Sequence, residues 1–281
     1  MIEIIFLGTS ATVPTLNRSM PSIALRYNGD IILFDSGEGT QRRLLEEGLR
    51  YGRIKSIFIS HNHIDHTLGL YGLIETIDLT LTKSINIFIP EDFPFIKKWD
   101  KHNIVFLKSN EIYDFGAYVV KVINNNHKSN SFSFMFQEKD SIRFDKEKSL
   151  KLGLKGRMFK EIQEKGKLNG IHLEDITYIK RGVKIVYSGD TMYCKDLINF
   201  SKHADILIHE STFSEKEEKE AKEKFHSTSK DAALIAKEAD VKQLILTHFS
   251  ARYKDESILC REAEQYFKNV LCAYDGFKIT I

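Results

Sequence analysis

The sequence predicts an α/β protein in which two β-sheets pack face to face and helices cover their outer faces. Two observations predict this class. Short apolar runs rich in Ile, Val and Phe recur along the whole chain with turn residues between them, and several of them are typical of strands buried on both faces. Amphipathic helical patterns interleave with these runs, so that strands cluster early and return late.

The individual elements follow from the same patterns. Strands are predicted over residues 2–7, 22–27, 31–34, 54–60, 85–89, 104–107, 119–123, 132–136, 183–188, 206–209, 244–247 and 277–281. Helices are predicted over residues 38–47, 65–79, 229–239 and 255–268. Residues 214–224, almost entirely Glu, Lys and Ala, predict an exposed helix held by ion pairs four residues apart.

Length and composition predict one domain, residues 1–281, with an insertion. Apolar residues make up 42% and charged residues 28%, as in globular proteins, and no run approaches the roughly 20 apolar residues of a membrane span. The acidic Glu3 argues against a secretory signal at the N-terminus. The three cysteines, Cys194, Cys260 and Cys272, contain no CxxC pair, so we expect no disulfide framework and a reducing, cytoplasmic location.

A basic segment, residues 139–182, is predicted to form an arm that projects from the core. Residues 139–184 contain 13 basic and 7 acidic residues, whereas the net charge of the chain is only +2. Five glycines are spread between Gly153 and Gly182, and the pattern is less regular than elsewhere. Two interpretations stay open at this point: a docking surface for an acidic partner, and a solvated surface insertion.

The six residues that directly follow the strand at 54–60 predict a metal site. His61-Asn62-His63-Ile64-Asp65-His66 contains four metal-binding side chains, placed where a strand fixes a loop and a helix begins. Neutral imidazole and carboxylate ligands suit Zn²⁺, and the lack of cysteine ligands predicts open, water-bearing coordination. A lone histidine pair is usually incidental, but four such residues within six are a much stronger signal.

Further ligand types stand at other strand ends and predict a second metal. Asp190 follows the strand at 183–188, where its carboxylate is suited to bridge two ions, although an Asp turn is the ordinary interpretation of such a residue. His127 and His248 also follow strands, whereas His102, His172 and His203 do not, and we predict that these last three are surface residues. Asp35 ends the strand at 31–34 and is suited either to hold a metal-bound histidine or to cap the next helix.

Glu210 and His226 form a candidate proton-donor pair. Glu210 ends the strand at 206–209, and His226 precedes the helix at 229–239. An imidazole held by a carboxylate can protonate a leaving group near neutral pH, as a hydrolase requires. The alternative is ordinary surface chemistry for both residues.

At this point the ordered set of residues resembles the metallo-β-lactamase superfamily and, within it, the ribonuclease Z family, endonucleases that mature transfer RNA 3′ ends. The superfamily resemblance lies in Asp35, the cluster His61–His66, His127, Asp190 and His248. The family resemblance lies in Phe6-Leu7-Gly8-Thr9-Ser10 with Pro14 and Arg18, Phe34-Asp35-Ser36-Gly37-Glu38-Gly39-Thr40-Gln41, His209-Glu210-Ser211-Thr212-Phe213, His226-Ser227-Thr228 and Leu246-Thr247-His248-Phe249-Ser250-Ala251-Arg252-Tyr253. It covers nearly the whole chain.

The resemblance implies an αβ/βα sandwich of two mixed sheets and a zinc-dependent endoribonuclease. Its implied ligand sets are His61, His63 and His127 for one zinc ion and Asp65, His66 and His248 for the other, with Asp190 bridging them and manganese as an alternative metal. Attack on the phosphodiester by a metal-activated hydroxide is implied, with Asp65 orienting or deprotonating it and with His226, oriented by Glu210, protonating the leaving oxygen.

The resemblance also implies the partners. Precursor transfer RNA is the implied substrate, gripped at its elbow by the arm, with contacts at Lys155, Arg157 and Arg252, and neither DNA nor a membrane is expected as a partner. A cytoplasmic homodimer is implied. The family's arm often carries a Gly-Pro pair, which is absent from Gly153-Leu154-Lys155-Gly156-Arg157, and its Pro-Gly-Leu is replaced by Leu70-Tyr71-Gly72-Leu73.

Two other functions compete with this one. A small-molecule phosphodiesterase can use the same site, but such a substrate needs no basic arm. An RNA-binding module with purely structural metals is the non-enzymatic alternative.

Overall fold

The computed structural model describes residues 1–81, 83–93 and 99–281, and its larger sheets are two mixed sheets of seven strands each within that part of the chain. The strands are β1 (Ile2–Gly8), β2 (Ser10–Ala11), β3 (Ser22–Tyr27), β4 (Asp30–Phe34), β5 (Ile54–Phe58), β6 (Asn86–Ile89), β7 (Asn103–Phe106), β8 (Ile112–Asp114), β9 (Tyr118–Asn124), β10 (Phe132–Glu138), β11 (Ser141–Phe144), β12 (Lys167–Leu168), β13 (Ile171–His172), β14 (Thr177–Lys180), β15 (Lys184–Tyr187), β16 (Ile206–Glu210), β17 (Gln243–Thr247), β18 (Phe249–Ser250), β19 (Val270–Cys272) and β20 (Lys278–Thr280). The helices are α1 (Thr40–Glu46), α2 (Ile64–Thr80), α3 (Lys146–Lys151), α4 (Met158–Lys165), α5 (Lys195–Ser201), α6 (Glu218–Glu223), α7 (Ser229–Glu238) and α8 (Ser257–Ala263).

The two sheets have the same mixed design. The first sheet runs β20-β1-β3-β4-β5-β6-β7, antiparallel up to β4 and parallel from β4 onward. The second runs β19-β17-β16-β15-β10-β9-β8, antiparallel from β8 to β15 and parallel from β15 to β19. In each sheet, therefore, the parallel strands present their carboxyl ends on one edge, which is where ligand sites form in α/β proteins.

Three apolar clusters hold four layers together. Aromatic side chains of both sheets, among them Phe34, Phe58 and Phe134, fill the space between the sheets. A second cluster joins the outer face of the first sheet to α1 and α2. In α2, Leu70, Leu73, Ile74 and Ile77 recur at helical spacing. A third cluster joins the second sheet to α5, α7 and α8. The predicted α/β sandwich with outer helices is confirmed.

The basic segment has more regular structure than its sequence indicated. Residues 141–180 lie between the neighbouring strands β10 and β15, and β11 pairs antiparallel with β14 at the base. Helices α3 and α4 and the short β12–β13 pair lie between β11 and β14 in the chain. Leu154, Ile162 and Ile176 form a small core of their own, separate from the three clusters of the body.

Two expectations were wrong because each depended on contacts between distant parts of the chain. Cys260 and Cys272 form a disulfide, with Cα atoms 5.9 Å apart where α8 packs on β19, so the cysteine count says nothing about the redox compartment. His102 is buried rather than exposed, with Nε2 at 3.3 Å from an oxygen of Asp78, whereas His172 and His203 are exposed as predicted. Within the described residues, no helix combines the length and apolar content that a membrane crossing requires.

Replacement of Phe134 by alanine tests the packing between the sheets. Phe134 is fully buried, and its ring lies 5.6 Å from that of Phe34 and 5.4 Å from that of Phe58, centroid to centroid. We expect Phe134→Ala to lower the free energy of unfolding in urea by about 3–5 kcal/mol, because the lost apolar contacts leave a cavity. Phe106→Ala is the control, since Phe106 is 45% exposed, and similar losses in both variants contradict the assignment.

Candidate metal centre

Loops from both sheets bring the predicted ligands to one edge of the sandwich. Asp35 follows β4 and the cluster His61–His66 follows β5, while Asp190 follows β15 and His248 follows β17. Asp35 and His248 adopt positive φ angles of 60° and 59°, which turn the chain sharply at the strand ends. Residues of distant sequence therefore meet because the carboxyl ends of the parallel strands lie together.

The start of α2 is held close to the loop after β4. The Ser36 N–H donates to the His66 carbonyl at 2.9 Å, and a Cβ on Gly69 would lie 1.9 Å from the Gly37 carbonyl oxygen. Only glycine fits such an approach between two backbones. This contact places His66 beside Asp35.

The first ligand group consists of His61, His63, His127 and Asp190, whose ligand atoms all lie within 4.8 Å of one another. His61 Nε2 lies 2.8 Å from His63 Nδ1 and 3.5 Å from Asp190 Oδ2. Burial and the charge of His66 hold the pKa of His61 well below its usual value, so this imidazole is neutral, the form that binds metals.

The second group consists of Asp65, His66 and His248, also within 4.8 Å of one another. Nε2 of His66 lies 3.2 Å from Nε2 of His248, and each lies 3.4 Å from an oxygen of Asp190. Asp190 thus contacts both groups. Burial lowers the pKa of His66, but Asp190, Asp35 and Asp65 raise it well above its usual value, so this position attracts positive charge.

The donor atoms fit a pair of divalent ions. Ring nitrogens of separate histidines face one another at 2.8 and 3.2 Å, and two buried atoms, His127 Nε2 and Asp190 Oδ1, have no hydrogen-bond partner among the described residues. Buried polar atoms normally have partners, and these two unpaired atoms belong to the same group of candidate ligands, so they are suited to hold an ion. Nitrogen and carboxylate oxygen donors without sulfur suit Zn²⁺ or Mn²⁺.

Asp35 is a buried hub behind the ligands. Its Oδ2 accepts from His66 Nδ1 at 2.8 Å, from the Tyr187 hydroxyl at 2.7 Å and from the Ser60 hydroxyl at 2.9 Å. Its Oδ1 accepts from the Ser60 N–H at 2.7 Å. A carboxylate that accepts a hydrogen bond from Nδ1–H leaves Nε2 free for a metal, so Asp35 is placed to orient His66. It does not cap α1, because the residue before the first residue of α1 is Gly39.

Glu210 and His226, far apart in sequence, form a hydrogen-bonded pair. His226 Nδ1 donates to the two Glu210 oxygens at 3.0 and 3.1 Å, and the Thr191 N–H donates to Oε1 at 2.7 Å. Burial lowers the pKa of His226, but the charge and hydrogen bond of Glu210 raise it to about 9. His226 therefore carries a proton at neutral pH and lines a cavity of about 740 Å³ together with His63, Asp65 and Asp190.

The three predicted substrate contacts, Lys155, Arg157 and Arg252, do not line this cavity. Lys155 and Arg157 are exposed in the connection between α3 and α4. The Arg252 guanidinium pairs with both oxygens of Glu220 at 2.7 and 2.8 Å and lies 4.9 Å from the Phe213 ring centroid. Glu220 belongs to the Glu- and Lys-rich helix, where ion pairs of Glu218 with Lys222 and of Glu220 with Lys224 confirm the predicted spacing.

Sequence reasoning missed the hydroxyl and amide side chains that support the ligands. Ser60, Tyr187 and Thr212 each bond a carboxylate of the centre. Asn125 donates to the carbonyls of Ser188 and Asp190 at 2.6 and 3.1 Å and so holds the loop that carries Asp190. The available signal was position, since each lies at the end of, or within two residues after, a strand that leads into a predicted site residue.

The fold and the site together define the class of this protein. A family model described as "Beta-lactamase superfamily domain" matches residues 31–249, so the chain belongs to that superfamily. A metallo-beta-lactamase fold protein from Bacillus subtilis has a similar structure, with a TM-score of 0.77 over all of both chains at 18% identity, which shows the fold alone.

The relatives define a narrower family. The chain is 41% identical to ribonuclease Z of Thermococcus sibiricus, over 98% of this chain and 92% of the relative. It is 36% identical to ribonuclease Z of Nitrosopumilus maritimus, over all of both chains. The short form of human tRNase Z is 29% identical, with a TM-score of 0.69 over 99% of each chain. The chain therefore belongs to the ribonuclease Z family.

Replacement of Asp35 by asparagine tests the hub. An amide nitrogen cannot accept a hydrogen bond, so at least one donor now bonded to Asp35 loses its acceptor. The substitution also removes the negative charge that holds the proton on Nδ1 of His66, so His66 is held less firmly for metal binding. We expect metal affinity, measured by competition with a chelator, to fall about 10–100-fold. Asp30→Asn at the opposite, exposed end of β4 is the control, and unchanged affinity in Asp35→Asn contradicts the assigned role.

Proposed function

We propose that this protein is a metal-dependent endoribonuclease that cleaves precursor transfer RNA at its 3′ side and removes the 3′ trailer. The observation that carries the proposal is the placement of His226, held by Glu210, in the same cavity as two metal-ligand groups that share Asp190. Full-length similarity to ribonuclease Z proteins supports the choice of substrate.

The metal groups fit two Zn²⁺ ions, with Mn²⁺ as the alternative, on the ligand sets described above. When bound, such ions lower the pKa of water and offset negative charge on the reacting phosphodiester. Asp190 contacts both sets and is the proposed bridging ligand.

Asp65 and His226 are the proposed acid–base residues. Burial raises the pKa of Asp65, but His66 and His248 lower it far below its usual value, so the carboxylate is ionised and can orient a water molecule by a hydrogen bond. Its proposed alternative role, accepting the proton of that water, would require a bound ion to lower the pKa of the water. The Thr12 N–H holds its Oδ2 at 2.9 Å. His226 carries the proton that the leaving oxygen requires, and Glu210 holds the opposite side of the ring.

The arm is the proposed binding surface for the transfer RNA. Lys148, Lys151, Lys155 and Arg157 lie together in sequence on and after α3, and within the described residues none of them forms an ion pair. Lys160 and Lys165 on α4, in contrast, pair with Glu164 and Glu161. Unpaired cations attract the phosphate backbone independently of sequence and in a salt-dependent way. Arg252 is a proposed further contact once Glu220 releases it.

A cytoplasmic homodimer completes the proposal. Exposed apolar side chains on neighbouring helices support association, among them Leu45 of α1 and Ile64, Leu68 and Leu79 of α2, which are 50–84% exposed. Sedimentation at several protein concentrations measures the assembly state.

Incubation with a precursor transfer RNA that carries a 3′ trailer tests the function. We expect one cut at the 3′ side of the acceptor stem, loss of cleavage after chelation, and recovery when Zn²⁺ or Mn²⁺ is restored. The cut position and the metal content are measured on the same sample. An intact precursor with both metal groups loaded contradicts the proposal.

Deletion of the arm separates transfer RNA cleavage from small-substrate cleavage. Ser141 and Lys180 are directly paired, so residues 142–179 can be replaced by a short glycine linker at the base. We expect precursor cleavage to fall below detection, whereas hydrolysis of bis(p-nitrophenyl) phosphate stays near its original rate. If precursor cleavage survives, the arm does not bind the substrate. If the unaltered protein hydrolyses bis(p-nitrophenyl) phosphate but leaves the precursor intact, the small-molecule phosphodiesterase becomes the better interpretation.

Replacement of His226 by alanine tests the leaving-group proton. We expect precursor cleavage to fall about 10²–10⁴-fold, because the leaving oxygen of RNA needs a proton. Cleavage of bis(p-nitrophenyl) phosphate should fall far less, since nitrophenolate leaves unprotonated. His203→Ala serves as the surface control, and equal losses on the two substrates rule out the proton-donor role.

A further inference from the structure

Thr212 occupies a position between the metal ligands and the proton donor. It lies two residues after the end of β16 and is 5% exposed. Its hydroxyl bonds Glu210 Oε2, lies 2.8 Å from His248 Nδ1 and lies 3.4 Å from His226 Nδ1. Glu210, a metal ligand and the candidate acid thus surround a single hydroxyl oxygen.

The hydrogen of this hydroxyl determines the direction of the other bonds. Glu210 already accepts from the Thr191 N–H and from His226, so its Oε2 is an acceptor for Thr212 as well. A threonine hydroxyl has one hydrogen, and after it is donated the oxygen can only accept. His248 must therefore donate from Nδ1, which leaves Nε2 as the metal-binding atom, 3.6 Å from Asp65 and 3.4 Å from Asp190.

The first sheet contains the same arrangement. Ser60 Oγ donates to Asp35 Oδ2 at 2.9 Å and lies 3.0 Å from His61 Nδ1, so His61 also donates from Nδ1 to a hydroxyl that is held by a buried carboxylate. His127 donates from Nδ1 to the Phe225 carbonyl at 2.7 Å. Two hydroxyl–carboxylate pairs therefore orient ligands, one on each sheet. The pair on the second sheet differs, because its carboxylate also holds His226.

We propose that Thr212 is a positioning residue that couples the two halves of the site. It keeps His248 in the tautomer that binds a metal, and it fixes Glu210 so that Glu210 presents His226 to the substrate. The His226 part of this inference rests on the proposed function. The His248 part rests on the metal centre and is independent of the substrate.

A matched pair of variants tests the His248 part. Thr212→Val keeps the shape and removes the hydroxyl, whereas Thr212→Ser keeps the hydroxyl. Zn²⁺ affinity is measured by competition with a chromophoric chelator, starting from metal-free protein. We expect Thr212→Val to bind one of its ions about 10–100-fold more weakly and Thr212→Ser to bind both like the unaltered protein. The proposal is overturned if Thr212→Val binds Zn²⁺ as tightly as the unaltered protein, or if Thr212→Ser loses as much affinity as Thr212→Val.

A measurement on the unaltered protein covers the case that Thr212→Val does not fold. Nitrogen-15 spectra of histidine-labelled, zinc-loaded protein show which ring nitrogen carries a proton. We expect His248 to show a protonated Nδ1 that exchanges slowly with solvent because it is hydrogen-bonded and buried. Coordination through Nδ1, or a rapidly exchanging Nδ1 proton, overturns the proposal.

Leaving-group dependence tests the His226 part. At saturating Zn²⁺ we expect Thr212→Val to slow precursor transfer RNA cleavage more than bis(p-nitrophenyl) phosphate cleavage, and equal slowing contradicts the link to His226. Failure of the proposed function has a different signature. The unaltered protein would then leave the precursor intact, while the difference in metal affinity between Thr212→Val and Thr212→Ser would remain.

Discussion

The rest of the site depends on the contacts of one buried carboxylate, that of Asp190, with histidines from both sheets. It follows a strand of the second sheet, yet its oxygens lie within 3.5 Å of His61 and His66 from the first sheet and of His248 from its own. A buried anion is costly unless positive charge lies beside it. Burial raises the pKa of Asp190, but the neighbouring His248, His66 and His61 hold it well below its usual value. The same need for positive charge makes this position attractive to divalent cations.

Around this carboxylate, the protein gives four histidines the same orientation. His61, His66, His127 and His248 all direct Nδ1 towards an oxygen behind them and Nε2 towards the centre. His63 is the exception, because its Nδ1 faces His61. For His61, His66 and His248, rotation or a change of tautomer would break a buried hydrogen bond, so these candidate ligands hold a metal-binding orientation without an ion.

Local signals in the sequence predicted most of the fold and the side chains that the candidate metal centre brings together. Apolar runs marked the strands, and His61 to His66 lie together because a single loop carries them. His127, Asp190 and His248 were accessible because strand ends are recognisable and the parallel ends meet at one edge. The positions of Thr212, Ser60 and Tyr187 near strand ends could be read from the sequence, but their roles could not, since those depend on hydroxyl directions and on contacts across the sheets. The Cys260–Cys272 disulfide and the burial of His102 were also not predicted, because both depend on which elements pack together in the fold.

The arrangement of Glu210 shows how the proposed proton donor, His226, would keep its proton beside bound metal ions. Positive ions near His226 favour loss of its proton, because like charges repel. Glu210 opposes this effect, since its carboxylate lies 3.0 Å from His226 Nδ1 while the Thr191 N–H and the Thr212 hydroxyl keep it in place. The carboxylate is thus shared between the acid and, through Thr212, the ligand His248. His248 and His226 therefore belong to one hydrogen-bonded network, and we expect a change at either residue to affect the other through Thr212 and Glu210.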